Sequence, residues 1–267
     1  MTNKLIKSKI LIILILVSVA IIHFGIKIYE YYSPAKERRI YMTSKHNDDT
    51  LRIAYIGDSW AFGHRFHSCR IQHLIKDSLH KPIIAESYGI NGFTSKEIYN
   101  ALFEIDILKQ FMEKGYNYCY ISAGINDCNK KVSPTYYKKS MDCIIQFMLA
   151  NQIRPIIQEI PDFNILDAYK RLKTNKKLLR CTSMFVNGTL MDCKQQFRDA
   201  LDELIQEKGY QNKVSVIRYK SWNNNYKKDL NDLYISDQMH INEKGYSVLD
   251  SVIAKEILKL STSYIAM

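Results

Sequence analysis

Leu51-Arg52-Ile53-Ala54-Tyr55-Ile56-Gly57-Asp58-Ser59 is the stretch from which the fold reads. A mostly apolar run ends at a glycine, and a small polar turn follows. An apolar run this short, bounded by a turn signal, reads as a strand buried on both faces. The pattern recurs downstream. Residues 82–88 read as a second strand ending at Gly89, and 116–122 as a third ending at Gly124. Residues 153–160 form a fourth, closed by Pro161, and 213–219 a fifth. Stretches of helical spacing lie between them and after them, at 66–79, 95–114, 134–150, 166–180, 191–208 and 243–260. In the second of these, Ile98, Leu102, Ile105, Leu108 and Phe111 share one face and Gly115 is the stop. Short apolar strands alternating with helices predict an α/β fold with a parallel sheet covered on both faces.

Polar turns recur just after strand ends: Gly57-Asp58-Ser59, Gly89-Ile90-Asn91-Gly92 and Gly124-Ile125-Asn126-Asp127. In an open α/β sheet ligands bind at the carboxyl ends of the strands, so the three turns converge on one crevice. Ser59 sits at a sharp strand-to-helix turn. Its hydroxyl is a poor nucleophile until a base takes its proton; the plainer role for such a serine is a helix N-cap. A base is available in Asp237-Gln238-Met239-His240. Spacing of three lets one turn bring both side chains to the same side. The Asp237 carboxylate then fixes the imidazole tautomer and stabilises its protonated form. The plainer role for this pair is a surface turn ahead of a helix. Acyl transfer also needs donors where the oxyanion forms. The backbone N–H groups of Ser59 and Gly89 and the side-chain amide of Asn126 are the candidates.

Gly57-Asp58-Ser59 with Gly63, then Gly89, then Gly124-Ile125-Asn126-Asp127, then Asp237-Gln238-Met239-His240 resemble, in content and order, the SGNH (GDSL) hydrolase family. The resemblance runs from Leu51 to the final helix. It implies a flavodoxin-like, three-layer α/β/α fold around a five-stranded parallel sheet. It also implies an esterase or lipase-like enzyme in which Ser59 is the nucleophile, His240 the base and then the acid, and Asp237 its orienter. Gly89 and Asn126 would join the Ser59 amide in the oxyanion hole. No metal and no organic cofactor is expected. Asp58 and Asp127 are read as braces for their loops, and Gly57 and Gly92 as backbone-geometry residues. Trp60 has two readings, a stacking wall for a sugar ring or core. His64 and His67 lack the further ligands a metal needs, which leaves them surface or core histidines. Tyr88 and Met239 neighbour motif residues.

The N-terminus carries a separate signal. Residues 10–26 are apolar apart from Ser18, His23 and Gly25; Lys4, Lys7 and Lys9 precede them, and Tyr29, Tyr31 and Tyr32 follow. This predicts a transmembrane signal anchor over 1–32, a polar linker over 33–50 and a hydrolase domain over 51–267. The domain would then lie outside the cytoplasm, tethered to the membrane by one helix. Ser18-Val19-Ala20 offers the alternative of a cleaved signal and a secreted protein.

With 46% hydrophobic residues, Gly 10 and Pro 5 in 267 residues, collagen-like and low-complexity classes are excluded. The net charge of +11 is spread along the chain with no nucleic-acid-binding signature, so no nucleic-acid partner is expected. Six cysteines form no C-x-x-C pair. Cys119, inside a strand, reads as a buried free thiol, and Cys181 with Cys193 is the first candidate pair. Asn187-Gly188-Thr189 matches the glycosylation acceptor pattern. The expected substrate is a small-molecule or polysaccharide acyl ester, foremost an O-acetyl ester on cell-surface or exported carbohydrate. Alternatives on the same site are a lysophospholipase, a thioesterase and an O-acetyltransferase. From another class comes a non-catalytic glycan-binding module on a hydrolase scaffold.

Overall fold

Every strand of the central sheet runs parallel to its neighbours. The computed structural model describes residues 2–39 and 46–265. The strands are β1 (Leu51–Gly57), β2 (Ile83–Gly89), β3 (Tyr118–Ser122), β4 (Arg154–Gln158) and β5 (Ser215–Ile217). The helices are α1 (Thr2–Tyr32), α2 (Ser59–His64), α3 (Ser68–Leu79), α4 (Ser95–Ala101), α5 (Ile105–Lys114) and α6 (Ile125–Lys130). They continue with α7 (Pro134–Ala150), α8 (Ile165–Lys170), α9 (Thr174–Asn187), α10 (Lys194–Glu207), α11 (Tyr226–Leu233) and α12 (Glu243–Ile265). The strand order is β2-β1-β3-β4-β5, which is flavodoxin-like. α3 packs with α12 on one face of the sheet; α7 packs with α4 and α10 on the other. The result is the expected three-layer α/β/α domain.

The local rules are visible at the helix ends. α4 opens with a full capping box, in which Thr94 accepts from the Glu97 N–H and Glu97 accepts from the Thr94 N–H. α7 has Pro134 in its first turn. The sheet core is apolar: Ile53, Ala54, Ile121, Ile156 and Ile157 are fully buried. In register, Gly57 at the end of β1 lies beside Gly89 on β2 and Ser122 on β3, so the strand ends line up along one edge.

The structure redraws several helices. The expected 66–79 helix is α3, preceded by the separate short α2 that starts at Ser59. The expected 95–114 helix is α4 and α5, parted where the Phe103 and Glu104 N–H groups turn back to the Asn100 and Ala101 carbonyls. The expected 166–180 helix is α8 and α9. Residues 40–45 of the expected 33–50 linker lie outside the described residues. Nearer parts of that segment dock on the domain: the Ala35 N–H donates to Ser140 Oγ (3.1 Å), and the Arg38 N–H to the Tyr99 hydroxyl (3.0 Å).

The N-terminal expectation is corrected. The chain divides into two compact units, Met1–Pro34 and Ala35–Met267, and the first holds α1. Among the described residues no helix is long and apolar enough to cross a membrane. The apolar run between Lys9 and Lys27 is residues 10–26, interrupted by Ser18, His23 and Gly25. At 1.5 Å per residue it covers about 25 Å, short of the roughly 30 Å of a bilayer's hydrocarbon core. The transmembrane helix over 1–32, the membrane as a partner and the membrane-anchored localisation are therefore not supported.

Candidate active site

The end of β1 is built to present Ser59. Gly57 has φ +147°, and a Cβ there would fall 2.1 Å from the Ser122 carbonyl oxygen, so no other residue fits this close approach. The N-cap of α2 is Asp58, not Ser59. Asp58 Oδ1 accepts from the Trp60 N–H (3.0 Å) and from the Ser122 hydroxyl (3.1 Å). The Asp58 N–H donates to the Ser122 carbonyl (3.1 Å). Asp58 thus ties the turn to β3, as its reading as a loop brace requires, and leaves the Ser59 hydroxyl uncommitted to capping. It is fully buried. Burial pushes its carboxyl up to about 7, against the pull of those hydrogen bonds.

His240 arrives from the loop between α11 and α12. That loop is pinned at both ends. An antiparallel bridge joins Tyr234 and Ile241, and the Ile235 N–H donates to the His240 carbonyl (2.9 Å). Asp237 Oδ1 accepts from the N–H groups of Met239 and His240, both at 2.9 Å. Its Oδ2 meets His240 Nδ1 at 2.5 Å. On the far side of the ring, His240 Nε2 lies 2.8 Å from Ser59 Oγ. Burial raises the Asp237 carboxyl, but hydrogen bonds from the His240 N–H, the His240 ring and the Met239 N–H outweigh it and hold it below the usual carboxylate range. Asp237, His240 and Ser59 form one continuous relay.

Two further groups follow the neighbouring strand ends: Gly89 closes β2 beside Gly57, and Asn126 lies four residues past the end of β3. Gly89 packs so tightly on α2 that a Cβ would lie 1.9 Å from the Phe62 nitrogen. Its N–H has only a long contact, 3.4 Å, to Ser87 Oγ, whose own hydroxyl donates to the Ala61 carbonyl. Asn126 is the second residue of α6. Its Nδ2 is buried with no hydrogen-bond partner. A buried donor left open in this way calls for an acceptor to fill it. The next residue, Asp127, accepts from the Ser95 hydroxyl (2.6 Å) and the Ser95 N–H (2.8 Å), which braces α6 against α4. Burial pushes its carboxyl up to about 6. Gly92 takes φ +79° in the turn after β2.

The remaining sequence candidates sort differently. Trp60 is core: it is fully buried and meets Trp222 edge-on at 5.5 Å. His64 is buried, with Nδ1 3.0 Å from Asp250 Oδ1. His67 sits beside the Tyr246 ring at 5.2 Å. The Tyr88 hydroxyl belongs to a cluster with Glu86, Gln110 and Tyr116, and Met239 is buried beside the relay. Among the described residues no group of three His, Cys, Asp or Glu side chains is placed to hold a metal. The candidate cysteine pair is also corrected. Cys181 is exposed with its sulfur 3.1 Å from the Tyr169 hydroxyl, whereas buried Cys193 meets Cys128.

Sequence reasoning missed the residues that hold the His240 loop from outside. The Gln238 carbonyl accepts from the Asn164 N–H (3.1 Å) and the Tyr226 hydroxyl (2.7 Å), and Arg171 donates to the Asp237 carbonyl (2.8 Å). They come from remote segments that carry no motif. The one local hint is Gln238, which takes φ +58° in the turn they grip.

Comparison with known proteins identifies the family. The model of a family described as GDSL-like Lipase/Acylhydrolase matches residues 55–248. The lipase/acylhydrolase from Enterococcus faecalis is 18% identical, with 78% of this chain and 96% of that chain covered, at a TM-score of 0.55. The psychrotrophic esterase EstA from Pseudoalteromonas sp. is 14% identical, with 80% and 100% covered, at 0.53. The acetyl xylan esterase AlAXEase is 15% identical, with 79% and 99% covered, at 0.53. At such identities the likeness is one of fold. No curated protein matches the chain.

Proposed function

The chain belongs to the GDSL-like lipase/acylhydrolase family and is an SGNH ester hydrolase, and we propose that Ser59, His240 and Asp237 carry out its reaction. Ser59 Oγ attacks the ester carbonyl as His240 Nε2 takes its proton. Asp237 holds the ring and stabilises the imidazolium. The tetrahedral oxyanion accepts from the Ser59 N–H, the Gly89 N–H and Asn126 Nδ2. His240 returns the proton to the departing alkoxide and leaves an acyl-serine. Water, deprotonated by His240, then releases the acid and restores Ser59. The observation that carries this reading is the relay of 2.5 and 2.8 Å contacts, and the unpartnered Asn126 amide on the turn after the neighbouring strand β3 supports it.

The preferred substrate is an ester of a short acyl group, an O-acetylated carbohydrate first. Asn164, Gln238 and Arg171 make the ground around the relay polar, suited to sugar hydroxyls. The fold is shared with an acetyl xylan esterase. A lipid ester is the second reading, favoured by exposed Leu166 and Ile235 near the same loop. A fluorophosphonate should label Ser59, and acetyl esters should be cleaved faster than long-chain esters of the same phenol. Faster cleavage of the long-chain ester overturns the acetyl reading; no label in folded protein overturns Ser59.

A further inference from the structure

Cys128 and Cys193 stand outside the reacting groups. Cys128 lies on α6, two residues beyond Asn126, and Cys193 is the N-cap of α10. Both are fully buried. Their sulfurs are 2.8 Å apart, less than an ångström beyond the ~2.05 Å of a disulfide bond. Lys131 completes the group. It is buried, its ammonium donates to the Leu190 and Met191 carbonyls, and it lies 3.6 Å from the Cys193 sulfur. The Cys128 thiol and the Lys131 charge together pull the Cys193 thiol below its ordinary range; burial and the same contact push the Cys128 thiol up. Cys193 is therefore the readier thiolate and Cys128 the thiol that hydrogen-bonds it, the division of labour from which a dithiol closes.

We propose that Cys128 and Cys193 form a reversible disulfide that fastens α6 to the start of α10. The oxidant is a small disulfide such as oxidised glutathione. The Cys193 thiolate attacks one of its sulfurs, its S–S bond breaks, and one thiolate leaves. That thiolate takes the Cys128 proton. The Cys128 thiolate then attacks the Cys193 sulfur of the mixed disulfide and expels the second small thiolate. Two protein thiols are oxidised and one small disulfide is reduced to two thiols. The first attack requires α10 to lift locally or to be not yet docked, since both sulfurs are buried. The bond does not depend on the role given to Asn126, but it would anchor the helix that carries it.

The test uses the full chain incubated with oxidised glutathione, quenched in acid, unfolded, alkylated with iodoacetamide and mapped by mass spectrometry. A parallel sample is first reduced with dithiothreitol. The oxidised sample should yield a cross-linked peptide pair holding Cys128 and Cys193, absent after reduction. Its thermal midpoint should exceed that of the reduced protein, and Cys128→Ser or Cys193→Ser should remove the difference. Cys128 and Cys193 both found alkylated, held as glutathione adducts or bonded to another cysteine such as Cys181 would overturn the proposal. The map is read from the unaltered protein, so it stands even if a variant folds poorly, and no outcome of it bears on whether Ser59 is labelled.

Discussion

Two aspartate–histidine pairs flank Ser59 and live in opposite surroundings. His240 and Asp237 meet at 2.5 Å with the histidine side chain 34% exposed, and Nε2 points at the serine hydroxyl. His64 and Asp250 meet at 3.0 Å with each side chain 1% exposed. The His64 ring lies among Tyr55, Tyr120 and Tyr246, at 4.6, 5.3 and 5.0 Å between centroids, and its Nε2 has no partner. His64 is far nearer to Ser59 in sequence, yet five residues along a helix turn its side chain about 140° away. His240 is 181 residues distant and makes the contact. The difference teaches that a base is defined by what its free nitrogen faces and by access for substrate, not by pairing with a carboxylate. The buried pair is a fastener between α2 and α12, because its histidine ends one helix and its aspartate sits on the other.

That contrast can be broken by substitution. The largest effect belongs to the shared serine: Ser59→Ala should lower kcat on p-nitrophenyl acetate by on the order of 10⁶-fold, with the thermal midpoint unchanged. Next comes Asp237→Asn, at about 10⁴-fold in kcat through loss of the correct tautomer. Asn126→Ala should lose about 10²–10³-fold in kcat while still taking the fluorophosphonate label on Ser59. His64→Ala should show the reverse profile. Losing its buried ring leaves a cavity that costs about 2–5 kcal/mol of stability, although Asp250 keeps Arg70 at 3.3 Å; this is read as a fall in denaturant midpoint, while kcat of the folded fraction stays within a few-fold. A His64 variant that is stable but loses activity as Asp237→Asn does would erase the distinction.

The last effect falls on stability rather than kcat and sharpens the same theme of burial against chemistry. The Asp58 carboxyl is raised by burial from 3.8 to about 7, so the folded protein binds this proton more tightly than the unfolded chain. Its contribution to stability is therefore complete below pH 3.8 and is lost as pH rises to about 7. Asp58→Asn keeps a capping oxygen and cannot ionise. The stability of the unaltered protein relative to this variant should decline between pH 4 and 7, as thermal unfolding at each pH would read.

Much of the domain was legible because its signals are local. Apolar runs ending at Gly57, Gly89 and Gly124 marked three strand ends, and the polar residues after them marked the edge where the site lies. What escaped was either too short or too distant. α2 and α6 are six residues each, below the length at which apolar spacing declares a helix. Asp250 reads as one more polar residue of a long helix until folding sets it against His64. Cys128 and Cys193 are 65 residues apart with no spacing rule to join them. The N-terminal run differs for another reason: residues 10–26 sit at the lower length limit for a span, and Ser18, His23 and Gly25 interrupt them.

The order of the reacting groups along the chain has a temporal consequence. The serine side of the relay is complete after the first strand and helix, but its histidine lies just before α12, the last helix. A chain emerging from the ribosome therefore carries the proposed nucleophile and amide donors well before the proposed base. On the proposed mechanism ester cleavage waits until the segment carrying His240 has been made and α12 has packed on α3, so a copy stopped before that segment is chemically silent.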